Sequence, residues 1–120
     1  MALKRGDIIE VYFDFPKVQD SKPHLAIIIS NEDVYDVETG YICVIMTSSK
    51  NFIDKFTFEI TDDMLERPNN KDFSQARCHL ITFVFEQHLG NKNNAKNTLK
   101  PNSVERLISF INQTSFSDDY

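Results

Sequence analysis

The sequence predicts a single α+β domain: a small antiparallel barrel or sheet, mainly β, with helical structure at one end. Two observations carry that class. Short apolar or alternating segments, each too short to be a helix, follow one another through most of the chain, separated by tracts rich in Pro, Asn, Asp and Lys. A sustained helical period appears only late, between Pro101 and Gln113. With 120 residues, 41% of them hydrophobic and ten of them Phe, the chain has the size of one domain and can bury a core without disulfide staples.

Taken in order, "DIIEVYF" (Asp7–Phe13) puts Ile9, Val11 and Phe13 on one face of a strand. "DFPKVQDSKP" (Asp14–Pro23), with two prolines, two lysines and two aspartates, reads as an exposed loop. "HLAIIIS" is β-branched and too short for a helix, which suits a strand buried on both faces. The acidic "NEDVYDVETG" (Asn31–Gly40) reads as turns, and "YICVIMTSS" (Tyr41–Ser49) as an apolar strand that ends abruptly in hydroxyls. "KFTFEI" alternates, with Phe56, Phe58 and Ile60 on one face. Thr61 is a candidate N-cap for a short helix in "TDDML", whose aspartates favour the positive helix end. "ERPNNKD" is a loop, "ARCHLITFVF" the last clear strand, and "EQHLGNKNNAKNTLK" a polar connection. Val104, Leu107, Ile108 and Ile111 then form one stripe of an amphipathic helix, with Pro101 in its first turn. Residues 113–120 are predicted to be a flexible tail.

Thirteen basic against eighteen acidic residues leave a net charge of −5, which argues against nucleic-acid binding by bulk electrostatics. A local basic groove is compatible with that balance, because net charge constrains only the average. No apolar signal region opens the sequence and no run reaches the roughly 18 apolar residues of a membrane span, so a soluble cytoplasmic protein is expected. Cys43 and Cys78 lie far apart in strand-like sequence and read as buried free thiols of a reducing compartment, with a disulfide left open.

There is no GxGxxG, P-loop, HExxH or GxSxG motif. His24, His79 and His88 lack metal-ligand spacing, and no CxxC accompanies them, so no metal site is expected. What remains is an ordered set of polar residues at strand ends: His24, Thr47–Ser48–Ser49 and Arg77. Each also has an ordinary reading as a strand terminus, a turn hydroxyl or a surface ion pair.

The order of these pieces resembles the MazF/PemK family of toxin endoribonucleases. "KRGDIIEVYFDFP" is similar to the family's RGD-type turn and first strand, and "SKPHLAIIIS" to its "KxRPALVIS" strand. "VIMTSSK" matches the strand ending in a TS step, and "FSQARCHLI" supplies Ser74 and Arg77 in a Ser-x-x-Arg pattern. "LKP" precedes a helix like the family's C-terminal one, and the five pieces span about residues 4–112. The resemblance implies a CcdB/MazF-type SH3-like barrel working as a homodimer and restrained by a cognate antitoxin. It also implies cleavage of single-stranded RNA at a short sequence by the ribose 2′-hydroxyl, without metal or other cofactor.

Such cleavage needs a group to take the 2′-OH proton, one to protonate the departing 5′ oxygen, and a donor or cation for the phosphorane charge. By resemblance, Thr47 stands at the family threonine, and His24 stands where the family carries arginine. An imidazole moves protons near neutral pH but offers no permanent charge and no bidentate fork. Two readings follow. In one, His24 transfers the proton, Thr47 donates to the phosphate, and Lys22 or Arg77 supplies charge. In the other, the lost arginine leaves a protein of this fold that binds RNA, antitoxin or gyrase but barely cleaves. Lys17, Lys22, Lys50 and Lys55 are the candidate phosphate contacts, with Ser48 beside them and Phe52 or Phe15 as base-stacking platforms.

Overall fold

The computed structural model describes residues 3–16, 22–89 and 94–118. Six strands form one antiparallel sheet: β1 (Asp7–Phe13), β2 (Lys22–Ile28), β3 (Gly40–Thr47), β4 (Thr57–Glu59), β5 (Gln75–Phe85) and β6 (Asn97–Thr98). Their order is β4-β5-β3-β2-β1-β6. The two outer strands approach each other beyond their ends. Leu65 bridges Leu99, Glu66 N donates to Thr98 O at 2.9 Å, and Lys100 N donates to Met64 O at 2.8 Å. These bonds curl the sheet into a half-barrel, as the strand-rich sequence predicts.

Alternation along the strands divides the core in two. Ile8, Ile27, Val44, Phe58 and Ala76 pack against Val104, Leu107 and Ile111 of helix α2 (Pro101–Ile111). Ile9, Val11, Ala26, Ile28, Cys43 and Ile45 form the second cluster, with Leu3 and Leu89. Cys78 belongs to the first cluster and Cys43 to the second, and both are free thiols. The expected stripe of α2 is therefore its packing face, with Pro101 in the first turn.

Five local readings change. The stretch read as a polar connection, Glu86–Lys100, holds a 3-10 turn at Glu86–His88 and strand β6, whose Asn97 and Thr98 are buried and too few for an alternation to show. Asn31–Gly40 is not only turns: α1 (Glu32–Glu38) forms there, its start capped by Asn31 Oδ1, which accepts from Val34 N at 3.3 Å. No residue of α1 is buried, so it carries no apolar stripe for a periodicity argument to find. A 3-10 turn does follow Thr61, at Asp62–Met64, but the Thr61 hydroxyl bonds the Asp63 side chain instead of a backbone N–H. Burial of β2 on both faces is confined to Ala26–Ile28, and Leu25 is partly exposed. Past α2 the chain continues as a π turn (Asn112–Phe116), where Thr114 Oγ1 donates to Phe110 O at 2.7 Å and Ser115 Oγ to Cys78 O at 2.9 Å. The predicted tail is thus anchored over its first residues.

Gly6 explains the opening turn. Its φ of 98° favours glycine, and a Cβ there would stand 2.8 Å from Leu99 O. Gly6 N donates to Ile28 O and Gly6 O accepts from Leu99 N, both at 2.8 Å, so the turn joins β2 to the segment before α2.

Candidate active-site groove

The sheet register assembles the site. β2 and β3 pair with Ala26 opposite Ile45; carried two residues on, this register brings His24 alongside Thr47. Across the next interface Thr47 faces Gln75, and Arg77 faces Thr57 of β4. The β3–β5 pairing shifts between Val44 and Met46, just before Thr47, and such irregularities re-aim strand ends. A polar row therefore crosses the sheet where its apolar strands end.

Lys22 to Leu25 of β2, Met46 to Ser49 at the end of β3, and Asn69, Lys71 and Ser74 from the β4–β5 connection enclose an open groove of about 450 Å³. Two lysines line it and, among the described residues, no carboxylate does. Among the described residues, the lining is thus basic although the chain carries an acidic surplus. The Thr47 hydroxyl accepts from Ser49 N at 3.2 Å, which leaves its own proton free to be donated. Asn69 Nδ2 donates to Ser74 Oγ at 3.2 Å, and Asn69 Oδ1 accepts from Lys71 N at 3.0 Å, so the far wall is braced internally.

His24 sits between this groove and an aromatic cluster. Its ring centroid is 4.5 Å from that of Phe15, which lies 5.8 Å from Phe13 and 5.9 Å from Phe52. Among the described residues, His24 Nε2 is buried and has no hydrogen-bond partner.

Arg77 does not join His24 and Thr47 in the groove. It is 5% exposed, and its guanidinium pairs with both oxygens of Asp54 at 3.0 Å. The same Nη1 also reaches Phe52 O, Thr57 Oγ1 and Gln75 Oε1. Hydrogen bonding from Arg77 is the main cause holding the Asp54 carboxyl below its ordinary range. As a cation for a phosphate in the groove Arg77 is already engaged, and the groove's own cations are Lys22 and Lys71.

The expected RNA contacts divide. Lys22 and Ser48 line the groove. Phe52 covers Arg77, with 5.8 Å from the guanidinium carbon to its ring centroid, and borders a neighbouring cleft with Phe15, His79 and Leu80. Lys50 and Lys55 are exposed on the same loop but line neither depression, and Lys55 Nζ lies 5.3 Å from the Phe56 ring. Lys17 lies outside the described residues. His79 stacks on Phe56 at 4.3 Å, and burial, then Arg77, push its pKa down. Sequence reasoning does not reach Asn69 and Lys71, and it gives Ser74 no role. The Asn-Asn-Lys stretch, with Asn70 at φ 57°, is legible as a turn. That it folds onto the end of β3 is not.

Among the described residues, no three His, Cys, Asp or Glu side chains converge as a metal site does, and no helix is long and apolar enough to cross a membrane. A comparison with curated proteins finds no match. A profile of PemK-like, MazF-like toxins of type II toxin–antitoxin systems matches residues 4–113. That stretch runs from the turn before β1 through all of α2 and contains every residue of the groove. With its curled antiparallel sheet and C-terminal helix, the chain belongs to the PemK/MazF-like family of type II toxins, whose systems pair each toxin with a cognate antitoxin.

Proposed function

We propose that this toxin is an endoribonuclease that cleaves single-stranded RNA at a short sequence, the ribose 2′-oxygen attacking the adjacent phosphorus. The observation that carries this is the convergence of His24 and Thr47 in one groove with Lys22 and Lys71 and no lining carboxylate among the described residues. A new bond forms between the 2′-oxygen and phosphorus while the bond to the 5′ oxygen breaks, leaving a cyclic phosphate and a free 5′-hydroxyl. His24 performs one of the two proton transfers. Thr47, whose hydroxyl already accepts from Ser49 N, donates its proton to a phosphate oxygen. Lys22 and Lys71 balance the charge that develops on the phosphorane. The protein acts in the cytoplasm as a homodimer, and an antitoxin segment restrains it by occupying this groove.

A second reading is supported by His24 Nε2, which is buried against Phe15 and unbonded. There the arginine is lost, proton transfer is blocked, and the groove binds without cutting. Incubation with a long mixed-sequence RNA in EDTA, with mapping of new ends, separates the two. Cleavage at a recurring short site, reduced about 10²-fold or more in both His24→Ala and Thr47→Ala, is expected from the first. Equal faint cleavage by all three proteins sinks it. His24→Arg then gives a direction: loss of activity marks dedicated histidine chemistry, and gain marks a weakened site.

A further inference from the structure

The most heavily bonded polar cluster among the described residues lies outside the groove, beneath the loop that follows Thr47. Gln75 is fully buried and Arg77 nearly so, and both face the Ser48–Asp54 backbone. Phe52 O accepts from Gln75 Nε2 at 2.7 Å, from Arg77 Nη1 at 2.9 Å and from Thr57 Oγ1 at 3.2 Å. Three donors on one carbonyl exceed the two lone pairs it offers, so this point of the loop is held from several directions at once. Gln75 Nε2 also donates to Ser49 O at 3.3 Å, and Ser49 N donates to the Thr47 hydroxyl at 3.2 Å. The buried amide and the groove hydroxyl are therefore both hydrogen-bonded to the backbone of Ser49, one at its carbonyl and the other at its N–H.

We infer that Gln75, Arg77 and Asp54 are positioning residues that fix the Ser48–Asp54 loop from below in the shape in which it engages RNA and aims Thr47. The inference rests on the RNA-cleavage reading above. The grip falls on backbone carbonyls at Ser49 and Phe52, so it sets the loop's path and leaves the side chains of Ser48 and Lys50 to the ligand. Buried charge-assisted bonds of this kind are expensive to break, because release leaves a desolvated guanidinium unpaired. That rigidity suits a catalytic loop, where displacement by about 1 Å can cost about 10²-fold in rate.

The sequence contains no Trp, so Phe52→Trp in the full chain supplies a single fluorescent reporter on the loop. Asp54, with 48% of its side chain exposed, is the solvent-facing end of the clamp, and Asp54→Ala in that background opens it. Gln75→Met is the second variant, and circular dichroism confirms that each is folded. Acrylamide quenching of the tryptophan, binding of a mixed 2′-O-methyl RNA, and kcat and KM of cleavage are then measured. Asp54→Ala is expected to raise quenching clearly, weaken RNA binding about tenfold and lower kcat about tenfold or more, with Asp54→Glu restoring part of each. Unchanged quenching overturns the clamp, and a loosened loop with unchanged binding and cleavage overturns its positioning role. If the wild-type protein, measured alongside, binds RNA without cutting it, the cleavage reading fails and the quenching and binding data still decide the clamp. If it does neither, both readings fall.

Discussion

At the scale of single residues, the sheet register fixes where His24 stands whatever its side chain does. His24 occupies a β2 position whose neighbours are set by register, so arginine or histidine there changes what the site can do and leaves the sheet as it is. The same scale governs the acid response of the clamp. Asp54 faces Arg77 and the Phe56 N–H, with His79 nearby, and its folded pKa lies below its unfolded one. Between those two values the unfolded state binds more protons, so stability rises with pH there. The pair's contribution is therefore complete above the unfolded value near pH 4 and lost only as pH falls through the lower folded one. His79, depressed by burial and by Arg77, becomes charged only in acid, where its charge also favours the carboxylate. Asp54 is half exposed, so the effect is screened and local. Quenching of the tryptophan in the Phe52→Trp protein is expected to stay flat from neutrality to about pH 4.5 and to rise only below about pH 4. A rise already at about pH 6 contradicts this account.

At the scale of elements, the two helices stand for different physics. α2 holds its place by burial, with Leu107 fully enclosed among β-strand side chains. α1 has no fully buried residue, touches the second cluster through the partly buried Tyr35, and starts on a side-chain cap at Asn31. In urea denaturation, Leu107→Ala is expected to cost about 3 kcal/mol through lost transfer energy and the cavity left behind. Asn31→Ala is expected to cost about 0.5–1 kcal/mol, the value of one exposed cap. Comparable losses from both would mean that α1 contributes to the core far more than the packing of Tyr35 provides.

At the scale of the whole molecule, the two buried cysteines report on cooperativity. Burial pushes both thiols up to about 12, and they lie in the separate clusters of the sheet. Neither forms appreciable thiolate at neutral pH, so alkylation requires the structure to open. Mass spectrometry after iodoacetamide treatment is expected to find both protected in the native protein and modified together as urea unfolds it. Early modification of Cys43 or Cys78 alone would show that one cluster opens independently, contrary to a single cooperative domain.

Local patterning is enough to specify strands β1 to β5, the amphipathic C-terminal helix and the strand-end polar residues His24 and Thr47, but not the two-residue β6. These depend on periods of two or 3.6 and on order along the chain, and a family resemblance carried by short motifs sharpens them. The same patterning does not reveal α1, which has a cap and an acidic first turn but no apolar stripe. Chain closure is what makes Lys71 and Asn69 walls of the groove, and what turns Arg77, grouped with His24 by sequence order, to the service of the loop. Those placements depend on which strands become neighbours and on which face each side chain leaves the sheet. A guanidinium next to a carboxylate and three oxygens in a buried space is held there by hydrogen bonds that offset its desolvation, and both arise only once the chain has closed around it.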